Sequence, residues 1–203
     1  MNFNTINLFT LNMHTVYLND IDNVALLKEI EDYSGNIPNV KDPTPAHTFY
    51  EDNLYPFGLP ESTKLMEQIT SAVSSILEKE MIMDSIWTIT LERNQSVLSH
   101  THKVNLQLYP EDYYSVSYYV NAPENSADLI FVTTHCNTIE KATAVKPEPG
   151  MLMIFNSFIP HMTNRHYSDE KRVVVSANLG PKYPNTTPSA DWSQYLIPEE
   201  FKK

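Results

Sequence analysis

Pro147-Glu148-Pro149-Gly150-Met151-Leu152-Met153-Ile154-Phe155 reads as a tight turn running straight into a strand that is apolar at every position. Glycine after Pro-Glu-Pro suits a turn that needs a left-handed residue, and five apolar residues in a row suit a strand buried on both faces. Val173–Leu179 has the same buried texture. Outward from these, Trp87–Glu92, Lys103–Tyr109, Ser115–Asn121 and Asp128–Thr133 alternate wholly or in part with period two. Turn-forming residues separate them at Glu92–Asn94, Tyr109-Pro110, Pro123–Asn125 and Ser168–Lys171. Strands at this spacing, with no helix between them, predict an antiparallel sandwich or barrel of jelly-roll type.

The N-terminal part has another texture. Asn4–Leu18 suits half-buried strands, and Ile21, Val24, Leu27 and Ile30 recur at helical spacing behind Asn19 or Asp20 as a cap. Asn36–Leu59 is rich in Pro, Asp and Asn and predicts a loop, with Phe49, Tyr50, Tyr55 and Phe57 free to pin it down or to wall a pocket. Pro60 opens a second helix whose stripe of Leu65, Ile69, Val73, Ile76 and Leu77 predicts packing on a sheet. The expectation is one domain over 1–203: an N-terminal strand and supporting helices in 1–85, a β core in 86–180, and a surface-wrapping tail in 181–203.

Composition narrows the function. Four glycines leave no phosphate-cradling loop, and a formal net charge of −11 disfavours duplex nucleic acid and anionic membranes as partners. Cys136 is the lone cysteine, so neither a disulfide framework nor a cysteine zinc knuckle is available. Without a signal-peptide pattern or an apolar run of membrane length, a cytoplasmic protein is expected, and a homodimer is compatible with it.

His100-Thr101-His102 carries the chemistry. Residues i and i+2 of a strand project to one face, so both imidazoles can reach one metal ion. His161, just after the buried strand, supplies a third ligand, and three facial imidazoles would leave positions open on iron, zinc, copper or nickel. Arg172 heads the strand whose same-face residues are Val174, Ser176 and Asn178. It suits a surface partner such as Asp169 or Glu170, or a carboxylate substrate gripped by a planar cation. Asp112 is an alternative ligand to His102, and His135 and His166 are expected on loops.

These residues, in this order, resemble a known family. His100-Thr101-His102, Ser115–Ser126, Asp128–Phe131, Val145–Gly150, Phe155, Pro160-His161, Ser168–Arg172 and Ser176–Leu179 are similar to the double-stranded β-helix core of the Fe(II)/2-oxoglutarate-dependent oxygenases. The nearest likeness is to the small bacterial and phage members related to prolyl hydroxylases. The resemblance covers Ser99–Leu179 and implies a mainly β jelly roll, or cupin-like, core with N-terminal helices packed on it. It assigns His100, His102 and His161 to Fe(II). It assigns Arg172 to the distal carboxylate of 2-oxoglutarate, with a hydroxyl from Ser115, Tyr119 or Ser176. O2 and an unidentified peptidyl or small-molecule substrate would complete the reaction, with selectivity set by loops such as Asn36–Leu59 and His135–Ala144.

Two positions depart from the family pattern. His102 stands where the His-x-Asp motif has its carboxylate, and Val174 replaces the serine of the Arg-x-Ser pair. The neutral third ligand keeps two alternatives open: a three-histidine cupin-type dioxygenase or zinc enzyme without 2-oxoglutarate, and a non-catalytic jelly-roll binding or virion-associated module.

Overall fold

A computed structural model describes residues 11–34, 55–102, 112–135 and 139–182. Strand β1 (Met13–Tyr17) precedes helices α1 (Asn23–Ser34) and α2 (Pro60–Leu77). Seven strands follow: β2 (Met81–Leu91), β3 (Tyr114–Asn121), β4 (Leu129–His135), β5 (Ile139–Val145), β6 (Met151–Asn156), β7 (His161–Thr163) and β8 (Arg172–Pro181). Lys103–Tyr109, residues 36–54 and the tail from 183 onward lie outside the described residues.

Both helices form where the apolar period predicts them, but the first cap lies elsewhere. Asp22, not Asn19 or Asp20, accepts from the backbone N–H groups of Val24 and Ala25 at 3.0 and 3.1 Å. Leu59 offers α2 no side-chain cap, and the Glu29 carboxylate of α1 takes over that task. It accepts from the N–H groups of Glu61 and Ser62 and from the Ser62 hydroxyl at 2.6–3.0 Å. Burial works to raise the Glu29 pKa, yet these bonds leave it below the usual value. A charge from one helix thus satisfies the open end of the next.

The strands make two antiparallel sheets, ordered β1-β6-β3-β8-β2 and β5-β4-β7. Alternation splits the residues of the larger sheet between two environments. Val116, Tyr118 and Val120 of β3 and Val173, Val175, Ala177 and Leu179 of β8 share a core with Leu65, Ile69 and Val73 of α2 and Leu26 and Ile30 of α1. The opposite face turns Tyr119, Met151, Met153, Phe155 and Val174 toward Leu129 and Phe131 of the smaller sheet. Full burial of Leu65, Ile69 and Val73 contributes about 1.5–3 kcal/mol apiece before entropy is counted. Tyr118 joins the layers by donating to Asn23 Oδ1 at 2.7 Å, and burial raises its pKa to about 12.

The Pro-Glu-Pro-Gly turn forms as expected. Gly150 sits at φ +84°, its N–H bonds Tyr119 O, and its carbonyl accepts from Leu18 N–H. One stretch departs from expectation. Residues 139–145, expected in a loop, form β5 and pair with β4 from Leu129↔Val145 to His135↔Ile139. Ile139, Ala142, Ala144 and Val145 keep no period of two, so only the pairing with β4 makes the strand legible.

Candidate metal centre

The site lies between the sheets. His161 opens β7 after a turn in which Ile159 N–H bonds Asn156 O. The segment carrying His100 runs antiparallel to it, and the two histidines exchange both backbone bonds at 3.0 Å. His102 N–H bonds Ser157 O at 3.0 Å, and Val97 receives Thr163 N–H. The chain from Val97 to His102 is therefore stitched onto the smaller sheet beside β7, with both rings on the inner side.

The ligand-capable nitrogens of His100, His102 and His161 lie within 4.8 Å of one another. Each Nδ1 faces an acceptor: Leu98 O for His100 (2.8 Å), Asn178 Oδ1 for His102 (2.7 Å) and Ile159 O for His161 (2.9 Å). Three acceptors place three protons on Nδ1 and leave three lone pairs on Nε2. Burial lowers the His102 pKa to about 4 despite its bond to Asn178, and that of His161 to about 3 despite its bond to Ile159. Both rings are neutral at pH 7.

That tautomer makes one contact informative. His102 Nε2 and His161 Nε2 are 3.2 Å apart, lone pair against lone pair. Two nitrogens bound about 2.0–2.1 Å from one cation would be this far apart at an angle of about 100°. The donor set therefore fits a divalent metal that accepts imidazole.

Arg172 lies in the same pocket, which encloses about 390 Å³ including its mouth. Only 3% of the residue is exposed, and its Nε has no hydrogen-bond partner. The guanidinium sits 5.1 Å over the ring of Tyr119. Burial lowers the Arg172 pKa, with Tyr119 and Asp128 offsetting part of that effect. The surface pairing expected of Asp169 goes to Arg93, at 2.5 Å. A buried cation facing a pocket, with an aromatic ring beside it and no carboxylate bonded to it among the described residues, is suited to an anionic ligand.

Sheet register sorts the candidate hydroxyls. On the inner face Ser115 stands opposite Asn178, Ser117 opposite Ser176, and Tyr119 opposite Val174. Ser176 lines the pocket with Arg172; Ser115 is turned to Asn178 Oδ1 and Ser157 Oγ, each at 2.8 Å. Tyr119 lies beneath the guanidinium, its hydroxyl 3.4 Å from Met153 Sδ and its pKa raised by burial. Asp112, the alternative ligand, is bound instead to Lys79 at 2.6 Å on the surface. His166 is on a loop but fully buried, with Nδ1 accepting from Ala127 N–H and Nε2 facing Glu170 O. His135 ends β4 rather than lying in a loop.

Three further residues belong to the site. Ser117 and Trp87 line the pocket, and the Trp87 ring lies 5.3 Å from that of His102. Asn178 holds His102. Strand parity already places Asn178 on the Arg172 face, but the partner that gives it a role is 76 positions away.

Fold and site together define a jelly roll in which three converging imidazoles and a buried arginine share one pocket. Residues 85–178, a little under half of the chain, match the family model described as "Putative 2OG-Fe(II) oxygenase". Over that segment the chain is similar to the 2OG-Fe(II) oxygenases.

Solved structures share the fold. The "non-heme alpha ketoglutarate dependent carbocyclase SnoK from nogalamycin biosynthesis" matches with a TM-score of 0.66 at 12% identity, over 91% of this chain and 85% of that one. The epimerase SnoN of the same biosynthesis matches at 0.64 and 14%, over 83% and 77%. HygX from Streptomyces hygroscopicus, with nickel and 2-oxoglutarate bound, matches at 0.60 and 10%, over 86% and 84%. At these identities the likeness is one of fold. No curated protein matches the sequence.

Proposed function

We propose that His100, His102 and His161 hold Fe(II) through their Nε2 atoms, that Arg172 anchors the distal carboxylate of 2-oxoglutarate, and that the enzyme is a hydroxylase. The observation that carries this is the pairing of three converging imidazoles with a buried cation whose Nε has no hydrogen-bond partner, in one pocket. When bound, Fe(II) and 2-oxoglutarate supply the chemistry: O2 is reduced as 2-oxoglutarate becomes succinate and CO2 and the substrate gains one oxygen atom.

The protein's own work is orientation and water exclusion. Leu98 O, Ile159 O and Asn178 Oδ1 keep the Nδ1 protons in place so that the Nε2 lone pairs face inward. Arg172 offers a fixed positive charge that needs no proton transfer at working pH. Ser176 is the hydroxyl best placed to share the carboxylate, because it lines the pocket while Ser115 is committed to Asn178 and Ser157. Ile89, Val97 and Leu129 supply apolar wall.

The net charge of −11 supports a peptidyl or small-molecule substrate over duplex nucleic acid. A cytoplasmic setting accords with the single cysteine and with dependence on reduced iron. The nearer kinship, to the small oxygenases related to prolyl hydroxylases, rests on the resemblance of Ser99–Leu179 in sequence alone.

An all-imidazole donor set also suits a metal dioxygenase without 2-oxoglutarate, in which Arg172 would meet a carboxylate of the primary substrate instead. The test is succinate formation by purified protein given Fe(II), 2-oxoglutarate and O2. Slow uncoupled turnover is expected even without the primary substrate, and its loss in His161→Ala. Undiminished turnover in that variant would rule out the site.

A further inference from the structure

His102 is the ligand that departs from the family pattern, and a dedicated side-chain network supports it. The other two histidines give their Nδ1–H to backbone carbonyls two residues away, a local contact that cannot rotate. His102 gives its proton to Asn178 Oδ1 across two strands, at 2.7 Å. The same oxygen accepts the Ser115 hydroxyl at 2.8 Å, and the Ser115 oxygen lies 2.8 Å from Ser157 Oγ. Asn178 Nδ2 donates to Ser85 Oγ at 3.0 Å. Ser157 closes the circuit by accepting the backbone N–H of His102.

The amide has two faces with opposite consequences. With Oδ1 toward His102, the ring carries its proton on Nδ1 and presents a lone pair at Nε2. With the amide turned over, Nδ2–H would face Nδ1, which would become the acceptor. The ring proton would move to Nε2, the atom 3.2 Å from His161 Nε2, and the third ligand would be lost. Ser115 sits opposite Asn178 in the β3–β8 register, where its hydroxyl reaches the oxygen.

We infer that Asn178, oriented by Ser115, Ser157 and Ser85, is the positioning residue that makes His102 a metal ligand. The inference rests on the metal site proposed above. It gives Ser115 a task on the metal side of the pocket rather than at the 2-oxoglutarate carboxylate. A neutral amide oxygen is a weaker acceptor than a carboxylate. A carboxylate at position 178 would draw harder on the Nδ1 proton and make Nε2 a stronger donor.

The experiment uses Co(II) alone, with the full chain in the absence of 2-oxoglutarate. Affinity is read by competition with a chromophoric chelator. Ligation is read from the paramagnetically shifted, solvent-exchangeable Nδ1–H resonances, one for each bound histidine. Wild type is expected to show three. Asn178→Ala is expected to bind Co(II) about 10- to 100-fold more weakly and to lose or move one resonance. Asn178→Asp is expected to keep three and bind more tightly than wild type.

A folded Asn178→Ala protein with wild-type affinity and three unshifted resonances would overturn the inference. Should that variant not fold, the near-isosteric Asn178→Asp decides: tighter binding supports the role, while unchanged or weaker binding contradicts it. A wild-type protein that binds no Co(II) would instead remove the metal site itself, and this role with it.

Discussion

Arg172 holds a full charge 3% exposed above an aromatic ring, and its Nε is left without a hydrogen bond. Such a group is costly unless an anion completes it. Arg172→Ala is therefore expected to weaken 2-oxoglutarate binding about 10- to 100-fold, the worth of a charge-assisted contact of about 1.5–3 kcal/mol. Affinity for Co(II) alone should change little, which two titrations would check. His102 and His161 give a pH prediction. Their folded pKa values of about 4 and about 3 lie below the ordinary 6.5. The unfolded chain therefore takes up protons first as pH falls, and stability drops between about pH 6.5 and about 3. Urea midpoints of the metal-free protein should be lower at pH 5 than at pH 7.5, and equal midpoints would contradict the burial of these rings. At this scale the histidines were legible because i, i+2 spacing is local. Asn178 and Ser117 were not, because their meaning comes from the rungs Ser115–Asn178 and Ser117–Ser176, and register is not written in either strand alone.

Elements explain how the site is kept still. The Glu29 carboxylate closes the N-terminus of α2 with bonds at 2.6–3.0 Å, so Glu29→Ala should lower stability by about 0.5–2 kcal/mol. Denaturant unfolding would measure that loss; no loss would mean that water serves the open N–H groups equally well. Gly150 at φ +84° links the turn to both Tyr119 and Leu18, and Gly150→Ala should cost about 1–2 kcal/mol from left-handed backbone alone. Periodicity revealed α1, α2, β3, β6 and β8, all of which bury a continuous face. It missed β5, whose partner is a strand rather than the core, and it misplaced the α1 cap by two or three residues. Asp20 and Asp22 are equivalent in sequence; only the turn at Asn19–Asp20 puts the oxygen of Asp22 within reach of Val24 and Ala25.

Across the whole molecule, one sheet serves two cores. Its outer face is held by helices, and its inner face closes on the smaller sheet and carries the pocket. The site draws on both sheets: His161 and the His100–His102 segment belong to the smaller, while Asn178, Arg172 and Ser176 belong to β8 of the larger. An ion bound there would tie the layers together, so metal should raise the melting temperature by mass action, with the rise growing with metal concentration. This follows from the arrangement of layers, which strand texture predicts only as a class.

The most direct measurement is anaerobic titration calorimetry of 2-oxoglutarate into the protein with and without Fe(II). Saturable binding at one site per chain that requires Fe(II), is lost in His161→Ala and is weakened in Arg172→Ala is the predicted result. An Fe(II)-loaded protein that shows no 2-oxoglutarate binding, or one that binds it equally well without the metal, would contradict the account.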